Sequence, residues 1–269
     1  MSVALRIALD RARDVQLGTI ATVVTALAVA LVWAIAEAPA RGVHAGGTWP
    51  FVLAGMISPG AAQLLVTIAI RETGASRTSV VLGTAPLVSV SIALVLLGEP
   101  LSAPLLVGAV LVVAGGVELA RERDRPEHLR RIGLLYAFVA IVLFSSRDNL
   151  LRWLSKSTSV PPAVAATAAL LGGTALVAVV TLRTARRWRL ADAMRFVPAG
   201  VLFGASYVSL FEAYYRGRVS IVSPLVATES LWGVVLSVLL LRRSEVVGRR
   251  LVLGAALVVA GGALIGAFR

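Results

Sequence analysis

The stretch Leu111-Val112-Val113-Ala114-Gly115-Gly116 recurs residue for residue as Leu257-Val258-Val259-Ala260-Gly261-Gly262, 146 positions later. Glu99 and Glu245 precede the two copies at the same distance. A chain that repeats itself at half its length is built from two copies of one structural unit. Each copy is nearly all apolar. Outward from the repeat, the question is whether that apolar content belongs to a soluble core or to a membrane.

Composition decides for the membrane. The 269 residues are 58% hydrophobic and 15% charged, with a mean hydropathy of +0.88. A soluble domain carries about 25% charged residues. The charges here cluster in short gaps between apolar stretches of about 20 residues, the length that crosses a bilayer. Internal repeats in such a chain place the expected site where the halves meet. The net charge of +12 sits at the ends of these stretches. There it orients membrane spans and does not form a nucleic-acid surface. There are no cysteines, which excludes disulfides, iron–sulfur clusters and thiolate zinc sites. His44 and His128 stand alone in expected loops, so no metal site is expected. Residues 1–16 show no small-residue cleavage pattern, so the first span reads as retained.

Hydropathy divides the chain into nine expected helical spans: Leu17–Ala36, Trp49–Ile70, Ser79–Leu97, Ala103–Ala120, Ile132–Ser145, Pro162–Leu182, Phe196–Tyr215, Ser220–Leu241 and Leu251–Phe268. Helices are required because lipid offers no partner to an open strand edge. The charged stretch 121–131 is the expected linker between a first repeat over 1–120 and a second over 132–269. The 146-residue offset sets Gly108 on Gly254, Gly116 on Gly262 and Leu5-Arg6 on Leu151-Arg152. It finds no counterpart in the first half for the span Ile132–Ser145, which would fall before residue 1. The expectation is therefore four spans plus five, with an opening helix supplied by an upstream segment in preference to a natural nine-span variant. Nineteen basic residues fall on the face that carries the N-terminus and seven on the other. The positive-inside rule then predicts a cytoplasmic N-terminus and an outside C-terminus.

The two-part pattern resembles the EamA family of the drug/metabolite transporter superfamily. The first copy reads Leu97-Gly98-Glu99-Pro100-Leu101, then Leu106-Val107-Gly108 and Ala114-Gly115-Gly116. The second reads Arg242-Arg243-Ser244-Glu245, which loses Gly98 and Pro100 of the first, then Leu253-Gly254-Ala255 and Ala260-Gly261-Gly262. The resemblance implies an all-α polytopic fold of two inverted five-helix repeats. It also implies movement of a small solute across the inner membrane, without a cofactor. Export of a small metabolite or amino acid is the expected activity.

Glu229 is the leading candidate for chemistry. It lies near the middle of an expected span, roughly 15 Å from either end at 1.5 Å per residue. A carboxylate at that depth costs at least ~2.5–3.5 kcal/mol, so it is expected to serve a pathway or a proton relay. Trp232 is one turn on and is expected to wall a ligand. With a loop two residues longer in the second half, Thr84-Ala85-Pro86-Leu87 aligns with Thr228-Glu229-Ser230-Leu231. Pro86 is expected to break its helix and free carbonyls in mid-membrane. Thr84 and Thr228 complete this primary set. Glu212, Gln63 and Tyr215 are secondary candidates. For Glu212, pairing with Arg216 at i,i+4 competes with a gating role. Arg147 and Asp148 read as the end of the fifth span, with a place in a solute vestibule as a lesser alternative. Two other functions stay open: a non-transporting or degenerate membrane partner, and an intramembrane enzyme. The second would need a nucleophile–base set that the spans do not offer. No phosphate-binding glycine loop is present.

Overall fold

The computed structural model describes all residues except 13, 86, 90, 93–102, 121–130, 183–188, 218, 220–221, 223–225, 227–228, 241–247 and 268–269. Among the described residues there are helices and no strands. The first half contains α1 (Ser2–Ala12), α2 (Val15–Arg41), α3 (Trp49–Gly55), α4 (Ala62–Thr73), α5 (Ala75–Leu82) and α6 (Ala103–Ala120). The second contains α7 (Arg131–Ser155), α8 (Pro162–Leu182), α9 (Leu190–Met194), α10 (Val197–Arg216), α11 (Glu229–Leu240) and α12 (Arg249–Ala267).

Local chemistry sets the helix ends. Asp14 caps α2, its carboxylate accepting from the backbone N–H groups of Gln16 at 2.9 Å and Leu17 at 3.1 Å. Gly42 ends α2 at φ +73°, and Gly74 turns the chain between α4 and α5 at φ +86°, a conformation that disfavours a side chain. Among the described residues, four stretches are long and apolar enough to cross a membrane: Val15–Arg41, Trp49–Thr73, Ile132–Ser155 and Pro162–Thr181. Helices α6, α10 and α12 lie where three further spans are expected. The expected spans Ser79–Leu97 and Ser220–Leu241, and the linker at 121–131, fall partly or almost wholly outside the described residues.

Apolar side chains cover the outside as well as the core. Leu31, Val32 and Ile35 of α2, Leu106 and Val110 of α6, and Leu171 of α8 are all exposed. A surface of this kind belongs in lipid. The chain is a multi-pass membrane protein. Its largest core cluster joins α2, α3, α7, α8 and α10 around Phe51, Leu151, Leu170, Phe203, Tyr207 and Phe211.

The duplication is visible in the packing. Helices α6 and α12, which carry the repeated hexapeptide, pack closely on each other. A Cβ built on Gly115 would lie 2.6 Å from the Gly254 carbonyl oxygen and 2.8 Å from Val258 Cγ2. A Cβ on Gly261 would lie 2.5 Å from the Gly108 carbonyl oxygen and 2.9 Å from Val112 Cγ2. Each contact becomes the other when residues are exchanged at the 146-residue offset. The helices run antiparallel, since Gly108 meets Gly261 and Gly115 meets Gly254. Small residues permit this close approach. Gly115→Ala and Gly261→Ala are expected to lower the detergent melting temperature by amounts that agree within roughly 2 °C, since each forces the same overpacking. Thermal unfolding of the two variants checks this.

Helix α1 refines the expectation of an absent opening helix. Leu5-Arg6 falls on Leu151-Arg152 of α7 at the same offset, so α1 corresponds to the last part of α7. Its packing corresponds too. Helix α7 touches α4 and α5 of the first half, and α1 touches α10 and α11 of the second.

Candidate polar site inside the bundle

Helix α7 carries five polar residues in a row, Ser145-Ser146-Arg147-Asp148-Asn149. Hydropathy ends the fifth span at Ser145 with an apolar face that can continue through Leu150, Leu151 and Leu154, and the helix does run on to Ser155. In lipid a helix keeps its own backbone bonds satisfied whatever its side chains, so a polar run does not have to end it. Arg147 and Asp148 are therefore inside the helix. Arg147 lies eight residues from its end, roughly 12 Å at the helical rise.

Both are buried, Arg147 at 4% exposure. Arg147 Nε lies 2.9 Å from Asp148 Oδ1. The two form an ion pair without hydrogen-bond geometry. Each charge is the other's counterion, and Arg147 Nη1 has no hydrogen-bond partner among the described residues. The guanidinium stacks over two rings, Tyr207 at 5.0 Å and Phe144 at 5.8 Å. Tyr207 belongs to an aromatic ladder on α10, with Phe203 at 5.5 Å and Phe211 at 5.0 Å between ring centroids. Tyr214, one further turn along α10, is fully buried beside the Asp148 carboxylate.

Two interrupted helices face this belt. The first interruption is at Met56–Ala61, between α3 and α4, where Ser58 leaves helical geometry at φ −148°, ψ 116° ahead of Pro59. The extended backbone of Ser58 turns its carbonyl out of the helical ladder, where it accepts from the Tyr207 hydroxyl at 2.8 Å. The second lies beyond α5, where Gly83 and Thr84 form a turn just ahead of Pro86. There the Ala85 carbonyl accepts from the Ser145 hydroxyl at 3.3 Å, and the Ser89 carbonyl accepts from the Asn149 amide at 3.5 Å. The polar belt of α7 thus reaches a broken helix on each side. Irregular backbone at membrane depth is tolerated where protein or a cavity covers it, and such places bind solutes.

The residues expected from sequence are more scattered. Glu229 is the first residue of α11; its side chain is exposed, and Ser2 of α1 donates to its Oε1 at 3.5 Å. Trp232 is 60% exposed on the outer side of the same helix. The Thr84 hydroxyl donates to the Val81 carbonyl at 2.8 Å, closing its own turn. Pro86 and Thr228 lie outside the described residues. Gln63 is fully buried on α4, with neither end of its amide partnered among the described residues. Glu212 pairs with Arg216 at 2.8 Å and also with Arg41 at the end of α2. Arg41 reaches Glu37 as well, at 3.3 Å. This network ties α2 to α10, one helix from each half. Tyr215 is partly buried beside it, and its hydroxyl has no partner among the described residues.

Sequence reading put Arg147 and Asp148 at a helix end and missed Tyr207, Tyr214 and Ser58. The signals were present: Ser-Pro-Gly at 58–60 inside an apolar span, and a five-residue polar run with hydrophobic sequence on both sides.

A duplicated, multi-pass helical membrane protein with a buried polar belt between broken helices has the architecture of a secondary transporter. The chain belongs to the EamA-like transporter family, whose model matches residues 1–118 and 131–267. It is therefore a membrane transporter of the drug/metabolite type. A solved structure described only as "Crystal structure of protein" shares the fold, with a TM-score of 0.68 and 21% identity over 98% of this chain and 93% of that one. No curated protein matches the chain.

Proposed function

We propose that the chain is a secondary transporter that exports a small solute across the bacterial-type inner membrane. Its solute site is centred on Arg147, Asp148, Tyr207 and Tyr214. The observation that carries this reading is the buried ion pair of Arg147 and Asp148, set beside Tyr207 and Tyr214 in the interior of the bundle. Ionisable groups inside a membrane mark solute pathways.

The proposal divides the chain into a first repeat over 1–120, a linker over 121–131 and a second repeat over 132–269. The two repeats cross the membrane in opposite senses. The antiparallel contact of α6 and α12 supports that inversion, since equivalent helices of repeats with the same orientation would run parallel. The N-terminus is placed in the cytoplasm and the C-terminus outside on the asymmetry of basic residues.

Proton coupling is assigned to Glu229. It is a carboxylate within an apolar helix, and its only described hydrogen bond is a long one to Ser2. The test is reconstitution in proteoliposomes with candidate solutes under an imposed proton gradient. Glu229→Gln is expected to abolish gradient-driven flux while solute exchange without a gradient persists. Unchanged gradient-driven flux removes Glu229 from the mechanism. No flux of any solute by the wild type removes the transport reading.

A further inference from the structure

From two arginines that the repeat superposes, we infer that Arg6 and Arg152 are a matched pair of positioning residues, each holding solute access shut at one face of the membrane. The inference rests on the transport reading above and concerns the two ends of the pathway, not the solute site between them.

The last carbonyls of a helix have no partner within it. An arginine near that end satisfies them and suits the helix dipole. Arg6 of α1 does this for α4, its Nη1 donating to the Ile70 and Arg71 carbonyls, both at 3.3 Å. Arg152 of α7 does it for α10, its Nη1 donating to the Tyr214 carbonyl at 3.0 Å. The 146-residue offset sets Arg6 on Arg152 and Ile70 on Arg216, two positions from Tyr214. Each contact therefore joins the same two elements of its own repeat.

The two contacts stand at opposite ends of one helix. A Cβ built on Gly133, in the first turn of α7, would fall 2.6 Å from Thr73 Cγ2 and 2.8 Å from Glu72 Cβ. The end of α4 thus lies beside the start of α7. Arg152 is 19 residues beyond Gly133 on the same continuous helix, roughly 28 Å at the helical rise. That is close to the thickness of the hydrocarbon core, so one arginine sits at each face.

What each arginine holds borders the pathway. Arg152 is one turn beyond Asp148 on α7, and it grips the turn of α10 that sets Tyr214 beside the Asp148 carboxylate. At the other face, α4 begins directly after the interruption at Met56–Ala61. There α1 touches α4 and α5 of the first half and α10 and α11 of the second, and so lies across the end of the bundle. Arg6 is 8% exposed, and Asp10 of its own helix pairs with it at 3.3 Å. A grip on carbonyls can let go without stranding a buried counter-charge. Asp10 moves with Arg6, and the released carbonyls meet water at the interface. In repeats of opposite sense, release at one face while the other stays held opens the pathway to one side at a time.

The chain has no cysteine, so one introduced thiol reports on access. Ser145→Cys places it at a fully buried position in the polar belt. The full chain in right-side-out and inside-out membrane vesicles is treated with a membrane-impermeant thiol reagent. Losing a hydrogen bond from a charged donor is expected to raise labelling about ten-fold or more. Arg152→Met should do so from the face opposite the N-terminus, and Arg6→Met from the N-terminal face, each leaving the other face at the rate of Ser145→Cys alone. Arg152→Lys and Arg6→Lys keep the charge without the planar fork and should shift labelling in the same directions by roughly three-fold, which keeps the test decisive where a Met variant does not fold. Arginines that only support the fold would change labelling at both faces together or at neither. Either result overturns the inference, as does faster labelling from the same face in both variants. Labelling needs no solute, so its failure is distinct from failure of the transport reading, which solute flux by the wild type decides.

Discussion

Replacing Arg147 by Met is expected to abolish solute flux and to destabilise the fold, and adding Asp148→Leu is expected to restore the fold without the flux. Removing one partner of a buried ion pair leaves the other charge uncompensated, at a cost of about 3–5 kcal/mol. For a chain of this size that corresponds to a fall in melting temperature of roughly 10 °C. Replacing both partners by apolar side chains of similar volume removes the uncompensated charge and is commonly neutral or stabilising. The double variant should therefore melt near the wild type. Its flux should stay at least about a hundred-fold down, since charge-assisted contacts worth ~3 kcal/mol to the solute are gone. The combination separates two roles that a single substitution confuses. A site for a solute predicts stability recovered and flux lost. A structural pair predicts that both recover together, and flux near the wild-type level in the double variant would show that the pair only locks α7 in place. The measurements are thermal unfolding in detergent and exchange in proteoliposomes.

What the sequence disclosed and what it concealed follow from the kind of signal involved. The repeated hexapeptide predicted a duplication, and its glycines meet across α6 and α12 in reciprocal contacts, because small residues leave both a sequence signature and a packing consequence. The site was less legible. Hydropathy allows the fifth span to continue through Leu150, Leu151 and Leu154, but it does not show that the polar run Ser145–Asn149 faces the bundle interior. The helix continues because its backbone must remain bonded in lipid, and the run becomes the polar interior of the bundle. Depth along the chain was a good guide to which charges are costly, but it says nothing about which way a helix faces. Glu229 and Trp232 lie in a helix that is apolar all round, so no stripe of hydrophobic residues announces its inner face. The structure leaves Glu229 exposed and Trp232 on the outer side, while Arg147 faces Tyr207. The break expected at Pro86 has a described counterpart at Ser58–Pro59, where the partner of the freed carbonyl, Tyr207, is 149 residues away in sequence. No local pattern reveals that pairing.

The second large effect is expected where the broken helix rests on α8. A Cβ on Gly55 would stand 1.8 Å from the Ala169 carbonyl oxygen, and one on Gly172 would stand 2.0 Å from the Val52 carbonyl oxygen. Ordinary van der Waals contact begins at 3.4 Å, so a single methyl group cannot be absorbed by a rotamer change; two backbones must separate. Overpacking of this kind costs about 1–3 kcal/mol and sometimes more. Gly55→Ala and Gly172→Ala are each expected to lower the melting temperature by roughly 5–10 °C. The two contacts lie on the same α3–α8 surface, so once one methyl has pushed the helices apart the second adds less. The double variant should fall short of the sum, as residues that share a backbone shift do. Gly46→Ala, where an added Cβ meets nothing within 4 Å, is the control and should melt with the wild type. The consequence reaches the site. Gly173 and Gly60 continue this contact, with a Cβ on Gly173 falling 2.7 Å from Pro59 Cγ, so α8 seats the interruption that presents the Ser58 carbonyl to Tyr207. Moving α3 off α8 shifts that carbonyl, and with it the ring on which Arg147 stacks. Flux in Gly55→Ala and Gly172→Ala should therefore fall even at temperatures where both variants remain folded. Wild-type melting and flux in either variant would show that α3 and α8 do not approach as closely as these glycines require.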